Sequence, residues 1–414
     1  MNKAMPRPPL AKSAALLMLA LFLAGILACS WFLLQARQKI ALQERQLATQ
    51  GEEIAFYRVI LRDIHKYERD ARGKSAIAPL SEKPLAPENT LPLHVRSVKD
   101  AGERRIGLIR YIFKSDALDR NRMPDLVAPP EKWPFSQTIA VPGALDLTVA
   151  MKHGISSRTI FIPHRGVDAS CLLFYHQGHE SSVYKQVPSE TALIDKTLDL
   201  GCDVVVAAMP LLAQNNQPKI NIPGIGEVVV DNHNILAFLE TEDFCPISYF
   251  MEPVLASLNW ALVQRPYKVV AMAGLSGGGW TTALYSAMDD RIAYSADVAG
   301  SAPIYLRANN PKNWGDWEQT HPRLYGIASY LDIYVLDTFP GRHHLQANNE
   351  LDGCCYGGPI PYAGLISDAA SGLGGHYEAM LSRQNPGKHL IPAVTRMRIL
   401  RELHNRTHGS PVEE

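Results

Sequence analysis

The chain has no charge of either sign to spare. Lys and Arg number 41 and Asp and Glu number 41, so the formal net charge is zero. A protein that coats a polyanion gains affinity from released counterions; nothing here supplies that, and no nucleic-acid partner is expected. Cysteine is scarce, six in 414 residues, which excludes a disulfide-dense scaffold. There is no internal repeat and no low-complexity tract. What is present is apolar: 46% of the residues, too many for a mainly disordered chain. The length suits one large domain with an additional segment, or two domains.

One long apolar run stands out. Ala14–Leu34 carries no charge, and Ser30 is its one polar residue. At 1.5 Å per residue such a helix covers roughly 30 Å, the thickness of a bilayer's hydrocarbon core. A core helix is rarely apolar on all faces. A cleaved signal peptide would have a shorter core and a small-x-small site after it. Ile26-Leu27-Ala28-Cys29 resembles a loose lipoprotein cleavage box, but Trp31–Leu34 continue the run beyond it. The expectation is an uncleaved, single-pass signal anchor over 13–34 behind a short tail, 1–12. Lys3, Arg7 and Lys12 precede the span, while Arg37, Lys39 and Arg45 follow it. The short leading segment and its free amine favour N-in, C-out, with the large domain outside the cytoplasm.

Ile40, Leu47, Ile54 and Leu61 fall seven apart. This predicts a helical stalk over 35–72, read equally as a weak homodimer coil or as a helix lying on the main domain. Pro79, Pro84, Pro87 and Pro92 then mark a semi-rigid linker over 73–93. From 94 to 414 short β-rich runs alternate with helical ones. Strands are expected at Ser157–Ile162, Cys171–Tyr175, Asp203–Met209, Lys268–Ala273, Tyr294–Val298, His343–Ala347 and His376–Leu381. Helices are expected at Ala192–Leu200, Glu252–Val263, Trp280–Met288, Tyr325–Val335 and Val394–Leu403. The alternation predicts an α/β domain, a mostly parallel sheet with helices on both faces.

Gly274-Leu275-Ser276-Gly277-Gly278 matches G-x-S-x-G between the strand Lys268–Ala273 and a helix. The glycines permit a sharp strand-to-helix turn that lifts a serine hydroxyl out of the sheet, and the helix N-terminus behind it favours developing negative charge. A phosphate loop would place Lys-Ser/Thr after the glycines; Trp280-Thr281 stands there instead.

From roughly Ala144 to Leu403 the sequence resembles the α/β-hydrolase superfamily, on this elbow and on the order of its elements. The resemblance implies a serine nucleophile after the fifth strand, an acid after the seventh and a histidine after the eighth. Ser276 is then the nucleophile. His389, in a loop before the last helix, is the base, with His376 as its rival. Asp352 follows the strand His343–Ala347 and is the acid, with Glu350 and Asp337 as alternatives. The oxyanion hole takes the backbone N–H of Gly277 and one from the loop after the third strand, Gln177 or Gly178. That loop, His176-Gln177-Gly178-His179, departs from the His-Gly-Gly of many members.

No cofactor is implied. His176-x-x-His179 has the spacing of a metal pair, but no third ligand is suggested and H-E-x-x-H is absent, so no metal is expected; His176 is read as ordering its loop. Ala302–Ser329 lies where members of the superfamily insert lids. Its Tyr305, Trp314 and Trp317, with Trp280, are candidate substrate-binding aromatics, packing being the other reading. Cys171 and Cys202 read as inert core residues. Cys354 and Cys355 are free, or one bridges to Cys245. The resulting expectation is a membrane-anchored serine hydrolase acting on a small-molecule or saccharide ester. A prolyl-oligopeptidase-like peptidase, an acyltransferase and an inactive binding module remain open as alternatives.

Overall fold

The computed structural model describes residues 93–130, 142–166, 169–179, 188–307 and 314–409. The tail, the apolar run, the stalk and all but the last residue of the linker lie outside the described residues. Among the described residues no helix is long and apolar enough to cross a membrane.

The first described residues are held in place. Leu93 and Val95 are buried, and the His94 and Val95 amides donate to Asp332 Oδ1 at 2.6 and 2.9 Å. Helix α1, Val98–Phe113, follows; Ser97 caps it by accepting from the Asp100 amide, and it buries Ala101, Leu108, Ile109 and Ile112. Strands β1 (Leu126–Ala128), β2 (Leu145–Ala150) and β3 (Ser156–Ile162) form an antiparallel edge.

Strand β4 (Cys171–His176), helix α2 (Pro188–Asp199) and strand β5 (Cys202–Ala207) open the parallel part. A small hairpin, β6 (Lys219–Ile222) and β7 (Gly226–Val229), stands apart from the main sheet. Helix α3 (Ser248–Gln264), strand β8 (Val269–Leu275), helix α4 (Gly277–Met288) and strand β9 (Tyr294–Val298) come next. The chain closes with α5 (Tyr330–Thr338), β10 (His343–Asn349), α6 (Ala363–Gly372), β11 (His376–Ser382) and α7 (Ala393–His408).

The nine strands of the main sheet run in the order β1-β2-β3-β5-β4-β8-β9-β10-β11. From β5 to β11 every pair is parallel. Strands β4, β5, β8 and β9 are buried at every position, which explains why β4, β5 and β8 read as largely apolar runs and not as alternating ones. Helices α2 and α7 cover one face through Leu193, Ile194, Leu198, Ile399 and Leu403, packed on Leu173, Val204, Ala271 and Leu345. Helix α4 packs on β8 and β9, and α1 and α5 pack on α4. All twelve residues of α4 are buried, as expected of a helix apolar on every side.

Two expectations need correction. The helix expected over Tyr325–Val335 is broken: a short helix ends at Ile327, and Ser329 caps a new one. Ser329 Oγ accepts from the Asp332 amide at 3.2 Å, and the Ser329 amide donates to Asp332 Oδ2 at 2.9 Å, a capping box that restarts the backbone. The second concerns Cys171 and Cys202. They open adjacent parallel strands in register and are joined as a disulfide, not held apart as free core thiols. Cys245, Cys354 and Cys355 are free, so neither of the adjacent pair bridges to Cys245.

Candidate active site

The loops beyond the C-terminal ends of β4, β8, β10 and β11 converge on Ser276. Strand β8 runs straight into the turn, and Ser276 takes φ 58° and ψ −129°. A non-glycine residue here costs about 1–3 kcal/mol and persists only where its surroundings hold it. Here the Ser276 amide donates to the Val298 carbonyl at 2.9 Å, and its own carbonyl accepts from the Trp280 amide at 3.1 Å. Gly278 has no alternative: a Cβ there would run into the carbonyl of His176. The elbow therefore lies directly on the end of β4.

The loop after β4 faces the head of α4. A Cβ on Gly178 would stand 2.6 Å from Ser276 Cβ and 3.3 Å from the Gly277 nitrogen. The first N–H groups of a helix have no intrahelical acceptor, which leaves the Gly277 amide aimed into this space. Gln177 is different. Its amide donates to the Ala207 carbonyl at 2.8 Å, and its side-chain oxygen accepts from the Tyr175 hydroxyl at 2.6 Å. Gln177 is thus not a main-chain oxyanion donor in this arrangement, and Gly178 is the remaining member of that pair. His176 donates from Nδ1 to the Gln177 carbonyl at 2.9 Å; burial lowers its pKa to about 4, so the ring is neutral and braces the loop.

Asp352 and His389 meet across two loops. Asp352 Oδ1 lies 2.8 Å from His389 Nδ1. The same oxygen accepts from the amides of Cys354 and Cys355 at 2.8 and 3.1 Å, and Oδ2 accepts from Asn349 Nδ2 at 2.8 Å. The loops are laced together: the Gly387 amide donates to the Leu351 carbonyl at 2.7 Å, and Asn349 Nδ2 reaches the Leu390 carbonyl at 3.1 Å. Burial disfavours the charged form of Asp352, but its bond to the His389 ring and that ring's charge outweigh this and hold its pKa low. Burial likewise works against the imidazolium of His389, yet the bond to and charge of Asp352 raise its pKa to about 9. His389 Nε2 is buried and makes no hydrogen bond. The Ser276 hydroxyl stands beside the Cys355 thiol instead.

The rival residues sit elsewhere. Glu350 faces outward and pairs with Arg383 at 3.1 Å. Asp337 is buried in α5 with its Oδ2 3.0 Å from His344 Nδ1, and burial raises its pKa well above the usual range. His376 stacks edge-on against His343 at the start of its strand. Trp280 and Trp317 are 1% exposed. Trp280 Nε1 donates to the Tyr325 hydroxyl at 2.7 Å, and Trp317 packs against Phe250 and His321. Both are packing residues in this structure and offer no face to a substrate; Trp314 is half-buried, and its carbonyl accepts from Arg307 Nη1 at 3.0 Å. Arg307 is itself fully buried, between the rings of Tyr330 and Tyr356.

Two features were not legible beforehand. Glu190, in the first turn of α2, is buried within electrostatic reach of His389; burial pushes its pKa to about 7. His176 and His179 do not converge as a pair. His179 instead meets His233, Asp316 and Glu318, from segments far away in sequence.

The strand order, the elbow between β8 and α4 and the loops around it define an α/β-hydrolase fold. Among solved structures, acetyl xylan esterase 1 from Thermoanaerobacterium sp. JW/SL YS485 is similar over 77% of this chain and 99% of its own, at 13% identity and a TM-score of 0.50. The acetyl xylan esterase from Paenibacillus sp. R4 covers the same shares at 14% identity and a TM-score of 0.48. Est1E from Butyrivibrio proteoclasticus matches 64% of this chain and 99% of its own, at 14% identity and a TM-score of 0.43. At these identities the first likeness bears on the fold, not on the reaction. No protein-family model matches the chain, and no curated protein sequence does.

Proposed function

We propose that the chain is a membrane-anchored serine hydrolase that cleaves carboxylic esters. The observation that carries this reading is the strained Ser276 elbow, together with a histidine that Asp352 holds through Nδ1 and whose buried Nε2 has no partner. Ser276 Oγ attacks the ester carbonyl, turning from the Cys355 thiol towards His389, and its proton passes to His389 Nε2. Negative charge grows on the carbonyl oxygen, where the amides of Gly277 and Gly178 receive it. Collapse expels the alcohol, which takes the proton back from His389. Water, deprotonated by the same nitrogen, then releases the acid. No step calls for a cofactor.

An acetylated saccharide is the first substrate class to test, since the acetyl xylan esterase 1 of Thermoanaerobacterium sp. shares the fold. The purified full-length chain, assayed against p-nitrophenyl esters of graded acyl length and against acetylated xylan, is expected to favour short acyl groups. Cleavage of peptides with no ester turnover would overturn the ester reading.

The pH dependence follows from His389. A general base must be neutral, and this ring is charged below about pH 9. The value of kcat/KM is therefore expected to rise through the neutral range with an apparent pKa well above the ordinary 6.5 of histidine, towards about 9. Asp352→Asn should move that limb downward. A limb near pH 6.5 in wild type would contradict the proposed coupling.

Anchoring rests on Ala14–Leu34 and gains support from the Cys171–Cys202 disulfide, because such bonds persist in oxidising compartments. The full-length protein is expected to stay with membranes through a carbonate wash. Protease added to spheroplasts should digest the large domain and leave a small embedded stub. Protein released by carbonate, or a large domain protected from protease, would overturn the outward-facing anchor.

A further inference from the structure

We propose that His179, His233, Asp316 and Glu318 form a binding site for one divalent transition-metal ion, best suited to zinc. The four come from three separate places: the loop after β4, the first turn after the β6–β7 hairpin, and the 3-10 turn Trp317–Gln319 within the segment that follows β9. One ligand atom from each lies within 4.8 Å of all the others.

The spacing is that of a coordination shell. His179 Nε2 lies 2.5 Å from Asp316 Oδ2, 2.9 Å from His233 Nδ1 and 3.9 Å from Glu318 Oε1. His233 Nδ1 lies 3.1 Å from Glu318 Oε1 and 3.6 Å from Asp316 Oδ2. Zinc with nitrogen and oxygen ligands at about 2.0–2.1 Å in a tetrahedron sets its ligand atoms about 3.3 Å apart. The five distances scatter around that value.

Protons alone satisfy the cluster poorly. Two ring nitrogens 2.9 Å apart can share one proton; if both carried one, the two N–H groups would collide. His233 already donates from Nε2 to the Pro210 carbonyl at 2.9 Å. That bond turns Nδ1 into the cluster, where the neutral ring offers a lone pair, as outer-shell carbonyls do for ligating histidines. Glu318 is fully buried, and its Oε2 has no hydrogen-bond partner. A buried carboxylate oxygen left without a partner is costly. Two carboxylates and two neutral imidazoles carry a charge of −2, which a dication cancels while all four lone pairs point inward. Mixed imidazole and carboxylate ligands at four-coordinate spacing favour zinc over calcium or magnesium, which take oxygen and more ligands.

The ion would clamp the site already described. His179 follows Gly178 directly, and a Cβ on Gly277 would meet His179 Nδ1 at 2.7 Å, so the ring rests on the head of α4 with its other nitrogen in the cluster. The metal ties the loop carrying Gly178 to the segment after β9. This positioning role rests on the ester-hydrolase reading; metal binding itself does not.

The test uses the full-length chain, purified without a metal-affinity step. Metal content is measured by mass spectrometry, the metal is stripped with dipicolinate, and the apoprotein is titrated with Zn2+ and with Co2+. One ion per chain is expected, with the visible absorption bands of four-coordinate Co2+. Glu318→Gln and His233→Ala should each weaken binding by at least about 100-fold, since loss of outer-shell partners alone costs 10–100-fold. Ser276→Ala should bind metal like wild type, which separates this site from the catalytic reading. Wild-type protein that takes up neither Zn2+ nor Co2+, or Glu318→Gln protein that folds and binds them undiminished, would overturn the site.

Discussion

Replacing Ser276 with alanine is expected to cut ester turnover to about a thousandth of wild type or less, with the fold intact. Loss of a nucleophile leaves substrate binding and oxyanion stabilisation, which together sustain only a small residue of the rate. The fold should hold because the hydroxyl makes no bond on which the elbow depends: the turn is held by the backbone bonds of Ser276 to Val298 and Trp280 and by the bare glycines around it. Alanine also accepts the positive φ no worse than serine. Steady-state kinetics on the purified variant, with circular dichroism as the control for folding, measure both halves. Turnover above a few per cent of wild type would mean that another group attacks the ester.

Asp352→Asn carries the second large effect. An asparagine can present its amide nitrogen to His389 Nδ1, selecting the tautomer whose Nε2 carries a proton and is no base; a loss of about 10⁴-fold in kcat is expected. Asp337→Asn should leave kcat within a few-fold, because Asp337 lies inside the domain against His344, while His389 is held by Asp352. The comparison is pointed, since Asp337 is the more deeply buried carboxyl and its pKa is the more perturbed. If Asp337→Asn proved the more damaging to kcat, with its stability unchanged, the acid would be misassigned.

Much of this site is legible in the sequence because it is local. Gly274–Gly278 places a turn between an apolar strand and a helix, and the periodicities on either side survive in β8 and α4. Strands β9, β10 and β11 are of ordinary length and stand within two residues of their expected bounds. The candidate acid is harder to read. Asp352 and Glu350 share one turn, and what separates them is the direction of the side chain: Asp352 turns in to three protein N–H donors and the His389 ring, while Glu350 turns out to Arg383.

What was not legible is long-range. Helix α1 has a capping serine and an apolar stripe, but charged residues dilute its pattern. The break at Ser329 is set by Asp332, which also holds the backbone of residues 94 and 95. The Cys171–Cys202 bond depends on strand order, since β5 pairs with β4 in register across an intervening helix. Whether Gln177 or Gly178 is free to donate depends on the Ala207 carbonyl, at the end of a neighbouring strand. The cluster of His179, His233, Asp316 and Glu318 has no spacing motif at all, because three loops that only the fold brings together supply it.

The most direct test of the central claim is covalent. The full-length chain, treated with a fluorophosphonate and mapped by peptide mass spectrometry, is expected to carry one adduct, on the Ser276 Oγ. Labelling should slow as pH falls below the His389 titration and vanish in Ser276→Ala. An adduct on another residue, or a folded protein that takes no label at any pH, would contradict a serine hydrolase built on this elbow.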